Sequence, residues 1–148
     1  MKNIRLGKVW NKGFTLVELL IVIIIIAVLA AIAIPKFANS STRSKESALR
    51  SNLKIARDAI DIFRTDTGVF PSTLADLAVT TAPANGLDAT GGSKVITGTD
   101  WRGPYVQAVP NDATDAGAFG YVTTGATTGK VTAHNTGNGT DGTAYSTW

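Results

Sequence analysis

From Leu19 to Ile34 the chain reads LLIVIIIIAVLAAIAI, sixteen residues without one polar side chain. With Phe14 to Glu18 the segment reaches 21 residues, roughly 31 Å of helix at about 1.5 Å per residue, enough to cross a bilayer core of about 30 Å. A helix apolar on every side must be surrounded by lipid or protein, and 148 residues are too few to enclose one. The run is therefore read as a membrane-spanning helix. Lys2, Arg5, Lys8 and Lys12 precede it with no acidic residue among them, so the positive-inside rule places the N-terminus in the cytoplasm and everything after Pro35 outside. A secretory signal cut near Ala31-Ile32-Ala33 is the alternative. Against it, the run exceeds the usual h-region of about 7–15 residues and carries Glu18 near its start.

A sequence pI of about 9.3 suggests a nucleic-acid partner, but the charge distribution argues against one. Four of the fourteen Lys and Arg residues fall in residues 1–13; without them ten basic residues face eleven acidic ones. The segment Lys36 to Arg64 carries a net +4 and Thr65 to Trp148 a net −4. Cysteine is absent, which excludes disulfides, thiolate metal sites, a cysteine nucleophile and a lipoprotein anchor.

Glu18 is out of place in lipid unless it has local work. Thr15-x-x-Glu18 fits a capping box, with Thr15 as N-cap and the carboxylate reaching back to its amide. The positive end of the helix dipole favours a carboxylate there by about 0.3–1 kcal/mol. That offsets part of the burial cost, which reaches about 2.5–3.5 kcal/mol for an acidic or basic group at a helix centre and falls toward the interface.

The stretch GFTLVELL, Gly13 to Leu20, followed by a long apolar helix and Pro35, resembles the class III signal of type IV pilins and pseudopilins. The resemblance implies a type IV pilin-like α+β fold, with a long N-terminal helix packed on a small antiparallel sheet. It implies a leader, residues 1–13, cut by a prepilin peptidase between Gly13 and Phe14, with N-methylation of Phe14. Residues 14–35 would first anchor the subunit in the bacterial inner membrane, as a single pass with the head periplasmic or extracellular. They would then line the core of a homo-oligomeric helical filament. Glu18 would be the fifth residue of the mature chain, its charge neutralised by the Phe14 amine of a neighbour. The remaining implied partners are an inner-membrane assembly platform and minor pilins or pseudopilins.

Beyond the membrane, Pro35 lacks a helical N–H and its ring presses on the carbonyl of Ala31, so a bend or local melting is expected. The helix resumes over residues 36–67 as an amphipathic stalk. Leu49, Leu53, Ala56, Ile60 and Phe63 recur at helical spacing, and Ile55, Ala59 and Ile62 widen that core-facing stripe. Arg43, Lys45, Glu46, Arg50, Lys54, Arg57, Asp58, Asp61 and Arg64 take the remaining positions. Gly68 stops the helix, with Pro71 close behind. A helix from Phe14 to Thr67 is roughly 80 Å long, too long for the remaining residues to cover.

Residues 68–148 form the head. GVFPSTLADL, Gly68 to Leu77, reads as a turn and one short helix capped by Ser72 or Thr73, and its Gly-x-aromatic-Pro sequence resembles major pseudopilins. Thr80 to Thr99, rich in Gly, Thr and Ala, reads as a long surface loop. Strands are expected at Tyr105–Val109, Phe119–Thr123 and Lys130–His134, the last two joined through Thr124 to Gly129, giving a sheet of three or four strands. Trp101, Tyr105, Phe119 and Tyr121 are read as core. The stretch Gly103 to Asp112 resembles a strand start of major pseudopilins.

By the same resemblance, major pseudopilins carry a calcium site in a C-terminal loop supplied by several carboxylates. The tail from Thr136 to Thr143 has Asp141 as its one acidic residue after Asp115, while calcium takes about six to eight oxygens. Asn138 and Asp141 are the calcium candidates, with a plain Gly-Asp turn as the alternative; no other cofactor is expected. His134 is the single histidine, and no Ser-His-Asp spacing, phosphate loop or His-rich signature accompanies it, which argues against an enzyme. The expected function is a structural filament subunit, leaning to the major pseudopilin of a type II secretion system. The alternatives are a type IV pilin serving adhesion, twitching or DNA uptake, and a membrane-anchored binding module that never polymerises.

Overall fold

The computed structural model describes residues 13–148. Residues 1–12 of the expected leader, with its four cations, lie outside the described residues. A single helix, α1, occupies Leu16–Thr67 with Pro35 inside it. The local melting expected at the proline is not seen, because losing one N–H leaves the helical bonds on either side in place. Two compact units divide the chain, Met1–Asn39 and Ser40–Trp148.

Within the first unit, every large apolar residue named from Phe14 to Phe37 is exposed, between 44% and 81%. The second unit buries Leu49, Leu53, Ala56, Ile60 and Phe63 at 2% exposure or less, with Ala59 at 3%. The expectation that Ile55 and Ile62 widen this face is wrong. They stand 46% and 52% exposed, because seven-residue spacing puts both on one stripe, rotated away from the head. Glu46, grouped with the solvent face, is buried; it continues the core register one turn before Leu49. Thr67 ends the helix, and Gly68 turns left-handed at φ +72° with its amide on the Arg64 carbonyl at 2.8 Å, the conformation glycine adopts most cheaply.

The head closes on this face with four short strands: β1 (Asn85–Leu87), β2 (Ser93–Val95), β3 (Gly120–Tyr121) and β4 (Val131–Thr132). They form two separate antiparallel pairs, β1–β2 and β3–β4, rather than one sheet. Phe70 bridges to Leu87 through two backbone bonds of 2.8 and 2.7 Å, tying β1 to the segment just after α1. The short helix is a 3-10 turn at Leu74–Leu77, with Thr73 as N-cap and its amide on Asp76 Oδ2 at 2.8 Å.

Two strand expectations are corrected. The supposed loop Thr80–Thr99 contains the β1–β2 hairpin, because Asp88 Oδ1 gathers the Thr90 amide, Thr90 hydroxyl and Gly92 amide into a tight turn. Gly91 completes it at φ +92°, with no room for a Cβ beside the Thr123 carbonyl. Conversely, Tyr105–Val109 is no strand. Its first two amides both donate to the Leu77 carbonyl, at 2.8 and 3.1 Å, and so make no ladder. Tyr105 instead packs edge-on against Phe63 and Trp101, and burial pushes its phenol upward in pKa. The hairpin through Thr124–Gly129 forms as expected, paired Gly120 with Thr132 and Tyr121 with Val131. Phe119 joins the core, and Trp101, Tyr105 and Tyr121 pack against it.

Candidate functional site

At the head of α1 the chain is non-helical from Gly13 to Thr15. Gly13 has open space around it, and Phe14 is 74% exposed. The Gly13–Phe14 peptide thus lies outside the helix, with both residues exposed. Thr15 is the N-cap residue, and the capping box is complete. Glu18 Oε2 accepts the Thr15 amide at 2.8 Å and the Thr15 hydroxyl at 2.8 Å, while the Glu18 amide donates to Thr15 Oγ1 at 3.2 Å. Both bonds to the carboxylate fall on Oε2; among the described residues Oε1 accepts none. The carboxylate is therefore held in place through one oxygen. Glu18 and Phe14 stand close to one another in sequence at an exposed helix end.

In the head, the carboxylates are organised by loops. Fully buried Asp112 accepts the Thr114 amide and hydroxyl on Oδ1, and the His134 and Asn135 amides on Oδ2. Sequence reasoning missed this residue; its signal is the Asp-x-Thr turn that begins at Asp112. His134 pairs through Nδ1 with Asp115 Oδ2 at 2.7 Å, which raises the imidazole pKa. Asp115 is lowered, chiefly by the Gly117 amide and then by His134. With its side chain 56% exposed, this histidine is a surface ion-pair member.

At the tail, Asp141 Oδ1 accepts the Thr143 amide and hydroxyl at 2.9 and 2.6 Å, and Oδ2 pairs with Arg50 at 2.8 Å. Asn138 meets Ala144 in an isolated backbone bridge. Glu46 accepts the Thr140 amide and hydroxyl at 2.7 and 2.6 Å and the Tyr145 hydroxyl at 3.2 Å. Those bonds, the Thr140 hydroxyl first, hold its carboxyl below the usual range. Among the described residues, no three His, Cys, Asp or Glu side chains cluster as a metal site would need.

Two family models match. A prokaryotic N-terminal methylation motif covers residues 11–34, and type II secretion system protein G covers residues 36–146. The type II secretion system core protein G of Pseudomonas aeruginosa is 26% identical over 106 residues, spanning 68% of this chain and 75% of that protein. The Escherichia coli core protein G is 28% identical over 108 residues, 69% and 74% of the two chains. The type IV major pilin PilA of Myxococcus xanthus is 59% identical, but over only 44 residues, 30% of this chain and 20% of the pilin. No solved structure is significantly similar. The short, strong likeness to a pilin contrasts with likeness to protein G over most of the chain. With its model spanning residues 36–146, this chain belongs to the type II secretion system protein G family.

Proposed function

We propose that the chain is the major pseudopilin of a type II secretion system, a structural subunit with no catalytic role. In this reading it is held as a single pass in the inner membrane, with the N-terminus cytoplasmic and the head outside. A prepilin peptidase cuts after Gly13 and methylates Phe14. An assembly platform then withdraws the subunit from lipid into a filament containing minor pseudopilins.

The observation that carries the filament reading is the capped carboxylate of Glu18, with Oε1 open at the head of an apolar helix; the match of residues 36–146 to protein G favours a pseudopilin over a pilin. A membrane anchor needs no carboxylate there, and an unpaired charge away from water is strongly unfavourable. Cleavage after Gly13 creates an amine on Phe14. A neighbour's amine meeting Glu18 neutralises both groups and sets the axial register of the incoming subunit. The all-round exposure of the apolar half fits a segment that exchanges lipid for other subunits.

Deleting the gene and following culture supernatants tests the secretion reading. Loss of secreted enzymes with unchanged surface motility supports it. Normal secretion with loss of surface pili would transfer the protein to the pilins.

A further inference from the structure

We infer that the tail Thr136–Trp148 is closed onto α1 by a protein-only clamp of Glu46, Arg50 and Arg57, so that the head folds without calcium. The residues that the calcium expectation singled out do not fit the ion. Asp141 has both oxygens engaged, one by its own turn and the other by a guanidinium at 2.8 Å. That fixed positive charge lies where a cation would have to approach. Glu46 also faces the tail, and both its oxygens are engaged, by Thr140 and Tyr145. Calcium takes about six to eight oxygens, commonly from several free carboxylates; neither of these is free.

Glu46, Arg50 and Arg57 follow one another at spacings of four and seven, so α1 presents them along one side. Together they hold the tail at several points, Trp148 by two of them. Glu46 holds the Thr140 backbone and the Tyr145 hydroxyl. Arg50 holds Asp141 and lies 3.9 Å from the centre of the Trp148 ring, a cation–π contact. Arg57 donates to the Val131 carbonyl at 3.1 Å and to the Trp148 carbonyl. Tyr145 and Trp148 pack edge-on at 4.8 Å over this set. Arginine therefore supplies the positive charge that a bound cation would otherwise bring, and it does so covalently attached to the helix. The clamp concerns the head alone and holds whether or not the subunit polymerises.

The test uses the full chain in detergent micelles. Wild-type melting is compared in chelator and in millimolar calcium, and terbium is titrated while its luminescence, sensitised by Trp148, is followed. Hydrogen exchange of the tail is then compared among wild type, Arg50→Gln and Glu46→Gln. The melting temperature is expected to be the same with and without calcium, and terbium to give no saturable signal. Tail amides, Thr140 and Thr143 above all, should exchange about threefold faster in Arg50→Gln, as losing a part-exposed ion pair implies, while the Leu49–Phe63 amides keep their protection. A rise in wild-type melting temperature with calcium, saturable terbium binding, or unchanged tail exchange in Arg50→Gln would each overturn the inference. Should Glu46→Gln fail to fold, the wild-type metal titrations and Arg50→Gln still decide.

Discussion

The two halves of α1 have opposite relations to the rest of the chain. Large apolar side chains in the membrane half are exposed all round, whereas the stalk half buries a narrow stripe, Leu49 to Phe63, almost completely. Both halves are helical and both are apolar somewhere, so apolarity alone does not say where a partner lies. Periodicity does. A stripe at spacings of three and four has one face to bury, and the same chain supplies what covers it. A uniformly apolar run has no preferred face, and its cover must come from outside: lipid, and in the proposed assembly other subunits. Glu18 breaks that uniformity at one point, and in the proposed assembly it is what a neighbouring subunit meets.

This contrast breaks most readily at Phe63. Removing its fully buried ring, which Tyr105 packs against, should destabilise the head by about 3–5 kcal/mol in Phe63→Ala. Leu29→Ala should leave head melting unchanged, since Leu29 is exposed and lies in the other compact unit. Thermal unfolding in detergent, followed by near-UV circular dichroism, reads both. Equal losses would mean the two halves are not independent. Next in size is Gly68→Ala, where a left-handed φ of +72° should cost about 1 kcal/mol at the boundary between helix and head.

Ile55 and Ile62 sharpen the comparison from within the stalk. Although each directly precedes a buried residue, Ala56 or Phe63, they are exposed, and we predict that they behave like the membrane half. Ile55→Asn and Ile62→Asn should change head stability by no more than about 0.5 kcal/mol yet reduce filament yield. A large loss of head stability would instead restore them to the core.

The smallest effect concerns pH. The His134 pKa is raised above 6.5 by Asp115, so this pair stabilises the head below that value and the contribution is lost as pH rises through the folded pKa. Glu46 and Asp141 are lowered by hydrogen bonds to Thr140 and Thr143 respectively; their contributions hold above ordinary carboxylate pKa values and are lost as pH falls through the folded ones. Head melting temperature should therefore fall slightly as pH rises from about 6 to 8. His134→Asn should flatten that limb, while the acid limb keeps the Glu46 and Asp141 contributions and loses only the part that His134 gives Asp115.

What the sequence made legible follows the same division. The 52-residue helix, its stop at Gly68, the buried stripe and the capping box are local, set by spacing and by residues within a turn of one another. The β3–β4 hairpin was legible for the same reason. The β1–β2 hairpin was not, because its turn depends on one aspartate gathering three donors, inside a stretch whose Gly and Thr content reads as loop. Tyr105–Val109 failed in the other direction: its alternation is that of a strand, but the Leu77 carbonyl takes its first two amides. Glu46 and Asp112 escaped notice because charge suggests solvent, and only partners some 20 to 100 positions away in sequence explain their burial. At the candidate site, Gly13, Phe14, Thr15 and Glu18 were all readable, since the whole site lies within six consecutive residues. In the proposed assembly its partner lies on another molecule, which no single chain contains.

The most direct measurement is therefore filament assembly by Glu18→Gln. Glutamine keeps an oxygen to cap Thr15 and removes only the charge, so the helix end is left intact. We predict that the variant is cleaved after Gly13 and inserted at the wild-type rate, as seen by pulse-labelling and mass spectrometry of the N-terminus, while filament formation falls at least tenfold. Processed Glu18→Gln subunits that assemble as fast as wild type would contradict the pairing of Glu18 with a neighbour's Phe14 amine.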